Sequence, residues 1–166
     1  MSAAETSDPS GPLVADADQP RQGGVDRPLV QVAVGVLFLP DGQFLLTSRP
    51  PGKVYAGHWE FPGGKLEPGE TIAQALAREL HEELGIEIDD CTLWKTEQVD
   101  YPHAWVQLNF CRVTRWRGEL QMREGQTFTW QRLPVQVDPV LPGTWPVLRW
   151  LEQEQRQAPE VGVPPR

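Results

Sequence analysis

Three glutamates, Glu79, Glu82 and Glu83, stand at positions i, i+3 and i+4, directly after Arg78. On a helix that spacing brings the carboxylates within a few ångströms of each other, where like-charge repulsion is unfavourable without a cation. A hard divalent ion suits such an oxygen cluster. Mg²⁺ binds through a few carboxylates and completes its octahedron with water and phosphate oxygens. Arg78, four residues before Glu82, is placed to pair with that carboxylate and fix its orientation. The implied chemistry is that of a divalent ion held between protein carboxylates and a phosphorylated ligand.

The flanking residues supply the helix this requires. Thr71 with Gln74 forms a capping box, so a helix begins at Ile72, and Gly85 supplies the left-handed residue that ends it after Leu84. At about 100° per residue, Ile72, Ala73, Leu76, Ala77, Leu80 and Leu84 share one arc and form the expected buried stripe. The three glutamates fall on the adjoining arc. Ahead of the helix, Phe61-Pro62-Gly63-Gly64-Lys65 has the glycines that allow backbone groups to approach an ion or phosphate closely. It is not a P-loop, because Leu66 follows Gly64-Lys65 where a Ser or Thr would bind Mg²⁺. Three glutamates on an arbitrary helix are more often a solvated face; the adjoining glycine loop favours the metal.

The rest of the chain bounds the setting. Its 166 residues accommodate one domain, spanning 29–156. Residues 1–28 are rich in Ala, Ser, Asp, Pro and Gly and lack apolar periodicity, so a disordered amino-terminal tail is expected; 157–166 reads as a flexible carboxy-terminal tail. The amino terminus lacks the basic start and apolar stretch of a signal peptide, and no run is long enough to span a membrane. Cys91 and Cys111 lie far apart without metal-ligand spacing, which fits a reduced, cytoplasmic compartment. A net charge of -8 argues against a nucleic-acid polymer as partner but is compatible with a small nucleotide carried by Mg²⁺.

Strand signals surround the helix. Leu29 to Leu39 is a Val-rich run, and Pro40-Asp41-Gly42 turns it into Gln43 to Arg49 as a hairpin. Ile86 to Glu97, Trp105 to Val113 and Thr127 to Leu133 read as further strands. Thr144, with Pro146 just inside, opens a last helix to about Arg156. This order predicts an α/β (α+β) fold with a mixed β-sheet sandwiched between α-helices.

From Gly64 to Ile86 the chain fits G-x5-E-x7-R-E-U-x-E-E-x-G-U, with U aliphatic, at every fixed position. It thereby resembles the Nudix hydrolases, whose architecture is the same layered sheet. Within that superfamily it looks most like the MutT type, which converts oxidised purine nucleoside triphosphates such as 8-oxo-dGTP to monophosphate and pyrophosphate. The matching runs include Val32 to Val36, Thr47-Ser48-Arg49, Trp59 to Lys65, Tyr101-Pro102-His103 and Arg123 to Gln126. The resemblance implies Mg²⁺ as cofactor, with Mn²⁺ as a substitute, held by Glu79, Glu82, Glu83, Glu124 and the Gly63 carbonyl. It makes Glu79 the candidate base.

By the same similarity Arg49 neutralises phosphate, as a guanidinium suits phosphate oxygens; otherwise it is an exposed strand-end arginine. Glu60, Phe61 and Lys65 of the glycine loop are substrate-binding candidates. One of Glu60 and Phe61 points to the pocket and the other to the core, so Phe61 either stacks on a base or packs as a plain core aromatic. Glu124 is otherwise a surface turn residue.

Two departures concern the base. Thr144 stands where the MutT pattern has an asparagine that reads the purine through two amide hydrogen bonds, and one hydroxyl does not reproduce them; otherwise Thr144 is an ordinary N-cap. Ala104 stands where the pattern can carry a basic residue, with Trp105 beside it as a stacking surface. The expected protein is a monomeric, cytoplasmic Mg²⁺-dependent nucleoside triphosphate pyrophosphohydrolase. Its rivals are a Nudix hydrolase of a dinucleoside polyphosphate or nucleotide sugar, and a module that senses nucleotides without turnover.

Overall fold

The computed structural model describes residues 12–23 and 27–157. Its strands are β1 (Leu13–Val14), β2 (Leu29–Leu37), β3 (Phe44–Ser48), β4 (Trp59–Glu60) and β5 (Gly63–Lys65), before helix α1 (Ile72–Leu84). Then come β6 (Glu87–Ile88), β7 (Thr92–Asp100), β8 (Trp105–Val113), β9 (Trp116–Arg117) and β10 (Phe128–Gln131), a 3₁₀ turn (Pro142–Thr144) and helix α2 (Trp145–Gln157). The main sheet has the order β1-β7-β8-β2-β5. It is mixed, since β2 runs parallel to β8 and antiparallel to β5. Strands β10-β3-β4 form a second, antiparallel sheet, and β6 pairs with β9.

Alternation along β2 sets the layers. Ala33 and Leu37 join Leu76, Leu80 and Leu84 of α1 on one face. Val34 and Val36 pack on the other with Phe44, Phe110, and Val147 and Leu151 of α2. The sheet thus lies between two helices, as the pattern predicts. A side chain on Gly35 would press on Leu76 and Leu80 at 3.3 Å, so a glycine here lets α1 lie close to the sheet.

The capping box is present. Thr71 Oγ1 accepts from the Gln74 amide at 3.1 Å, Gln74 Oε1 accepts from the Thr71 amide at 2.9 Å, and Gly85 closes the helix at φ 70°. The buried stripe differs from expectation. Ala75 is buried while Ala73 is exposed, so the buried arc is rolled toward the side that carries Glu79 and Glu83. Apolarity alone cannot fix the roll of a helix whose carboxylates must also face a pocket.

Other boundaries shift for local reasons. The turn after β2 closes with Gly42 N–H donating to Leu39 O and Leu39 N–H donating to Gln43 O, both at 2.9 Å, and the arms meet at one isolated bridge, Phe38 to Phe44, without forming a paired ladder. Strand β3 then leaves for the second sheet. The run Ile86 to Glu97 is broken between β6 and β7 because the Asp90 carboxylate turns to accept from the amides of Thr114 (3.0 Å) and Arg115 (2.8 Å). Cys111 is buried in the core, and the partly buried Cys91 packs against the same cluster.

The expectation of a disordered 1–28 fails for the described part. Leu13 and Val14 pair in parallel with Val99 and Asp100 of β7, and Leu13 and Ala15 are buried. Composition missed this because a two-residue strand needs only an open sheet edge and a small apolar recess, both supplied from distant sequence. Residues 1–11, 24–26 and the expected carboxy-terminal tail from 158 onward lie outside the described residues.

Candidate active site

Strand β5 and helix α1 bring the glycine loop and the carboxylates together at one end of a cavity of about 520 Å³. Gly63, Gly64, Lys65, Glu79, Glu82, Glu83 and Glu124 line that end. Side chains on the glycines would not fit, because one on Gly63 would overlap the Ala33 carbonyl and one on Gly64 would overlap the Glu79 carboxylate. Arg78 organises the cluster from the side. Its guanidinium donates to Glu70 at 2.7 and 2.8 Å, to Glu79 at 2.8 Å, to the Lys65 carbonyl at 3.0 Å, and only at 3.5 Å to Glu82. The expected Arg78–Glu82 pair is therefore its longest hydrogen bond, with only the Glu67 carboxylate farther away at 3.7 Å. Glu70, a fixed position of the sequence pattern not singled out as a site residue, is its main partner, and those hydrogen bonds hold the Glu70 carboxyl down to about 2.

Glu83 sits deepest. Burial, then the charges of Glu79 and Glu124, push its carboxyl up to about 9. A concentration of acidic oxygens beside a glycine-lined backbone is the donor set a hard divalent cation takes, so the residues fit one. The crowding is at Glu83, with Glu79 beside it and held by Arg78, whereas the Glu82 side chain is 55% exposed. Among the described residues no group of three or more His, Cys, Asp or Glu side chains forms a ready chelate.

The loop bearing Glu124 is held over the end of α1 by Gln126, a buried residue that sequence reasoning left without a role. Gln126 Oε1 accepts from the Glu124 amide at 2.9 Å, and its Nε2 donates to the Glu83 carbonyl at 3.2 Å. The signal was present as a polar residue in the Arg123 to Gln126 run, but its contact with the helix end is non-local.

Arg49 and Glu60 stand at the middle of the cavity. They pair at 3.2 Å, and Arg49 Nε also donates to Val54 O at 2.6 Å, so Arg49 is not a free strand-end arginine. Burial pushes the Glu60 carboxyl up to about 7 against the opposing charge of Arg49. Glu60 acts electrostatically on both Glu83 and Tyr101, which places it at the junction of the two ends. Phe61 resolves as the core aromatic: it is 4% exposed and packs on Phe44 with ring centroids 5.8 Å apart. It borders the cavity without a free face for stacking.

The far end is aromatic and apolar, lined by Tyr55, Tyr101, His103, Leu141, Gly143 and Thr144. Neither Ala104 nor Trp105 lines the cavity. The Tyr101 hydroxyl accepts from the Gly143 amide at 3.0 Å. Thr144 is 2% exposed and ends the 3₁₀ turn; its hydroxyl donates to the Trp59 carbonyl at a long 3.5 Å instead of capping α2. Burial, then the charges of Arg49, Lys65 and Arg27, lower the His103 pKa and favour a neutral ring.

An acidic helix face against a glycine loop, over a cavity with an aromatic far end, defines a hydrolase of phosphoanhydride bonds in a small molecule. The NUDIX domain family matches residues 29–151, and the chain belongs to that family. It is 42% identical over 101 residues to the 8-oxo-dGTP diphosphatase of Proteus vulgaris, covering 61% of this chain and 90% of the relative. It is 36% identical over 125 residues to the Escherichia coli K12 8-oxo-dGTP diphosphatase, covering 75% and 97%. A solved MutT structure, from work on the Aliivibrio salmonicida and Vibrio cholerae proteins, superposes with a TM-score of 0.63 at 29% identity, covering 76% of this chain and 99% of that one.

Proposed function

We propose that this protein is a Mg²⁺-dependent nucleoside triphosphate pyrophosphohydrolase that removes oxidised purine nucleotides, converting 8-oxo-dGTP and water to 8-oxo-dGMP and pyrophosphate. One observation carries the reading: four carboxylates and a glycine loop share one end of a cavity whose other end is aromatic. The acidic end suits a triphosphate with its counter-cation, and the aromatic end suits a base. The similarity to 8-oxo-dGTP diphosphatases supports the substrate class.

Glu79, Glu82, Glu83, Glu124 and the Gly63 carbonyl would hold Mg²⁺, or Mn²⁺ in its place. When bound, the ion neutralises phosphate charge and acidifies water. Glu79, oriented by Arg78, accepts a proton from the attacking water. Arg49 and Lys65 neutralise phosphate oxygens; Glu60 keeps the Arg49 guanidinium aligned until substrate arrives. Thr144 offers a single hydroxyl to the base. The same reading makes the protein a cytoplasmic monomer acting on free nucleotides. Its net charge of -8 is consistent with that, and among the described residues no helix is long and apolar enough to cross a membrane.

The test is product formation with Mg²⁺, resolved by chromatography, across oxidised and normal nucleoside triphosphates, a nucleotide sugar and a dinucleoside polyphosphate; only the triphosphates yield pyrophosphate. The proposal expects 8-oxo-dGTP to give the highest kcat/KM. Preference for a nucleotide sugar or a dinucleoside polyphosphate would reassign the substrate, and binding without turnover would make the chain a sensor.

A further inference from the structure

The segment before β2 lies outside the family match, which begins at residue 29, yet it is tied to the cavity wall. The two non-glycine residues with left-handed backbone among the described residues are Asp16 (φ 49°) and Tyr55 (φ 61°). They are hydrogen-bonded to each other, the Tyr55 hydroxyl donating to the Asp16 carboxylate. Left-handed backbone is unfavourable for a bulky residue such as tyrosine and persists where surrounding contacts over-determine it, commonly at binding sites. Here the contacts come from both sides. Arg21 donates to the Ala15 carbonyl at 2.8 Å and the Asp16 carbonyl at 3.2 Å, clasping the turn after β1. Arg27 donates to the Tyr101 carbonyl at 2.7 Å and pairs with Asp100, fastening the returning chain beside the same wall.

Tyr55 lies in the β3–β4 loop, which also carries Lys53 and follows Arg49, and all three line the cavity. Its ring stands 5.7 Å from Tyr101 and 6.0 Å from His103, so the three rings form an aromatic corner at the far end. The loop's five backbone hydrogen bonds all join loop residues to one another and do not fasten it to its surroundings: Lys53 N–H to Pro50 O at 3.3 Å, Ala56 N–H to Lys53 O at 3.1 Å, Gly57 N–H to Arg49 O at 3.0 Å, His58 N–H to Tyr55 O at 3.0 Å, and Arg49 N–H to His58 O at 2.8 Å. Such a loop opens readily unless a side chain pins it.

We propose that residues 13–21 form a strap that fixes the base-binding end of the cavity, with Asp16 as a positioning residue that acts through Tyr55. The strap holds the Tyr55 ring as one wall of a corner that takes the planar base of the nucleotide. The base assignment rests on the function proposed above, whereas the pinning of the loop does not.

The experiment compares the full chain with Asp16→Ala, Asp16→Asn and Tyr55→Phe. Asp16→Ala and Tyr55→Phe should raise KM for 8-oxo-dGTP about tenfold or more, as loss of one hydrogen bond to a charged acceptor implies. Their kcat should stay within about twofold, and so should the inhibition constant of inorganic pyrophosphate, which probes the carboxylate end alone. Asp16→Asn keeps an acceptor and should restore KM to within about twofold of wild type. Amide exchange at Gly57 and His58 should quicken about tenfold in Asp16→Ala and stay near wild type in Asp16→Asn. An active wild type whose KM is unaltered by Asp16→Ala and Tyr55→Phe, or a pyrophosphate constant that rises with KM, overturns the strap as a base-site element. Unchanged exchange in Asp16→Ala overturns the pinning itself. A wild type inactive on every nucleoside triphosphate defeats the functional reading instead, and the exchange result then decides the strap alone.

Discussion

The Glu79 carboxylate occupies the space that a side chain on Gly64 would need: a Cβ there would stand 2.5 and 2.6 Å from its two oxygens. The glycine loop and the helix carboxylates are therefore one unit, in which the missing side chain lets an acidic group lie on the β5 backbone. Gly64→Ala should displace Glu79 and lower kcat/KM by about a hundredfold or more, on the order of 3 kcal/mol of transition-state stabilisation. Pyrophosphate release measures it. A loss below about threefold would show that the position of Glu79 does not depend on Gly64.

Arg78 is held chiefly by Glu70, not by Glu82. Glu70→Gln should free the guanidinium and lower kcat by about tenfold, while Glu82→Gln leaves the orientation of Arg78 unchanged. The difference is read from the kcat of a Glu70→Gln, Arg78→Lys pair in a double-mutant cycle. Additive effects would mean that Glu70 does not act through Arg78.

Helix α1, its caps and the long strand β8 were legible because they depend on local signals: a capping residue, a left-handed glycine, apolar alternation. The features missed are non-local. Strand β1 exists because β7 offers an edge, and Ala75 is buried because α1 is rolled toward the cavity. Thr144 leaves its expected capping role because the Trp59 carbonyl of β4 lies within reach. Within the site, the spacing of Glu79, Glu82 and Glu83 identified the acidic end. The aromatic end was only partly legible, as Phe61 went to the core and Tyr55 comes from a loop with no motif.

Stability should depend on pH in an unusual direction for carboxylates. Burial raises Glu60 to about 7 and, together with Glu79 and Glu124, raises Glu83 to about 9, against an ordinary value of 4.5. Between those limits the folded chain holds protons that the unfolded chain has released. Their stabilising contribution is present below about pH 4.5 and is lost as pH rises through about 7 for Glu60 and about 9 for Glu83. Without divalent ions, Tm should therefore fall from pH 6 to pH 9, and Mg²⁺ should raise it more at pH 9 than at pH 6. Calorimetry in a chelator checks this; a Tm rising across that range would contradict the described crowding of Glu83.

At the base end, Thr144→Asn replaces a hydroxyl with an amide that can both donate and accept. One added hydrogen bond contributes about 0.5–1.5 kcal/mol, so the kcat/KM ratio for 8-oxo-dGTP over dGTP should rise about threefold to tenfold. Competition kinetics with the two nucleotides reads the ratio directly. An unchanged ratio would leave Thr144 as a packing residue bonded to Trp59.

The central claim is that the carboxylates of α1 perform the chemistry, and it is tested most directly by kcat for 8-oxo-dGTP at saturating Mg²⁺ in Glu79→Gln and Glu83→Gln. Both variants should lose several hundredfold or more, on the order of 3 to 4 kcal/mol, while remaining folded. Wild-type rates in both would contradict the account.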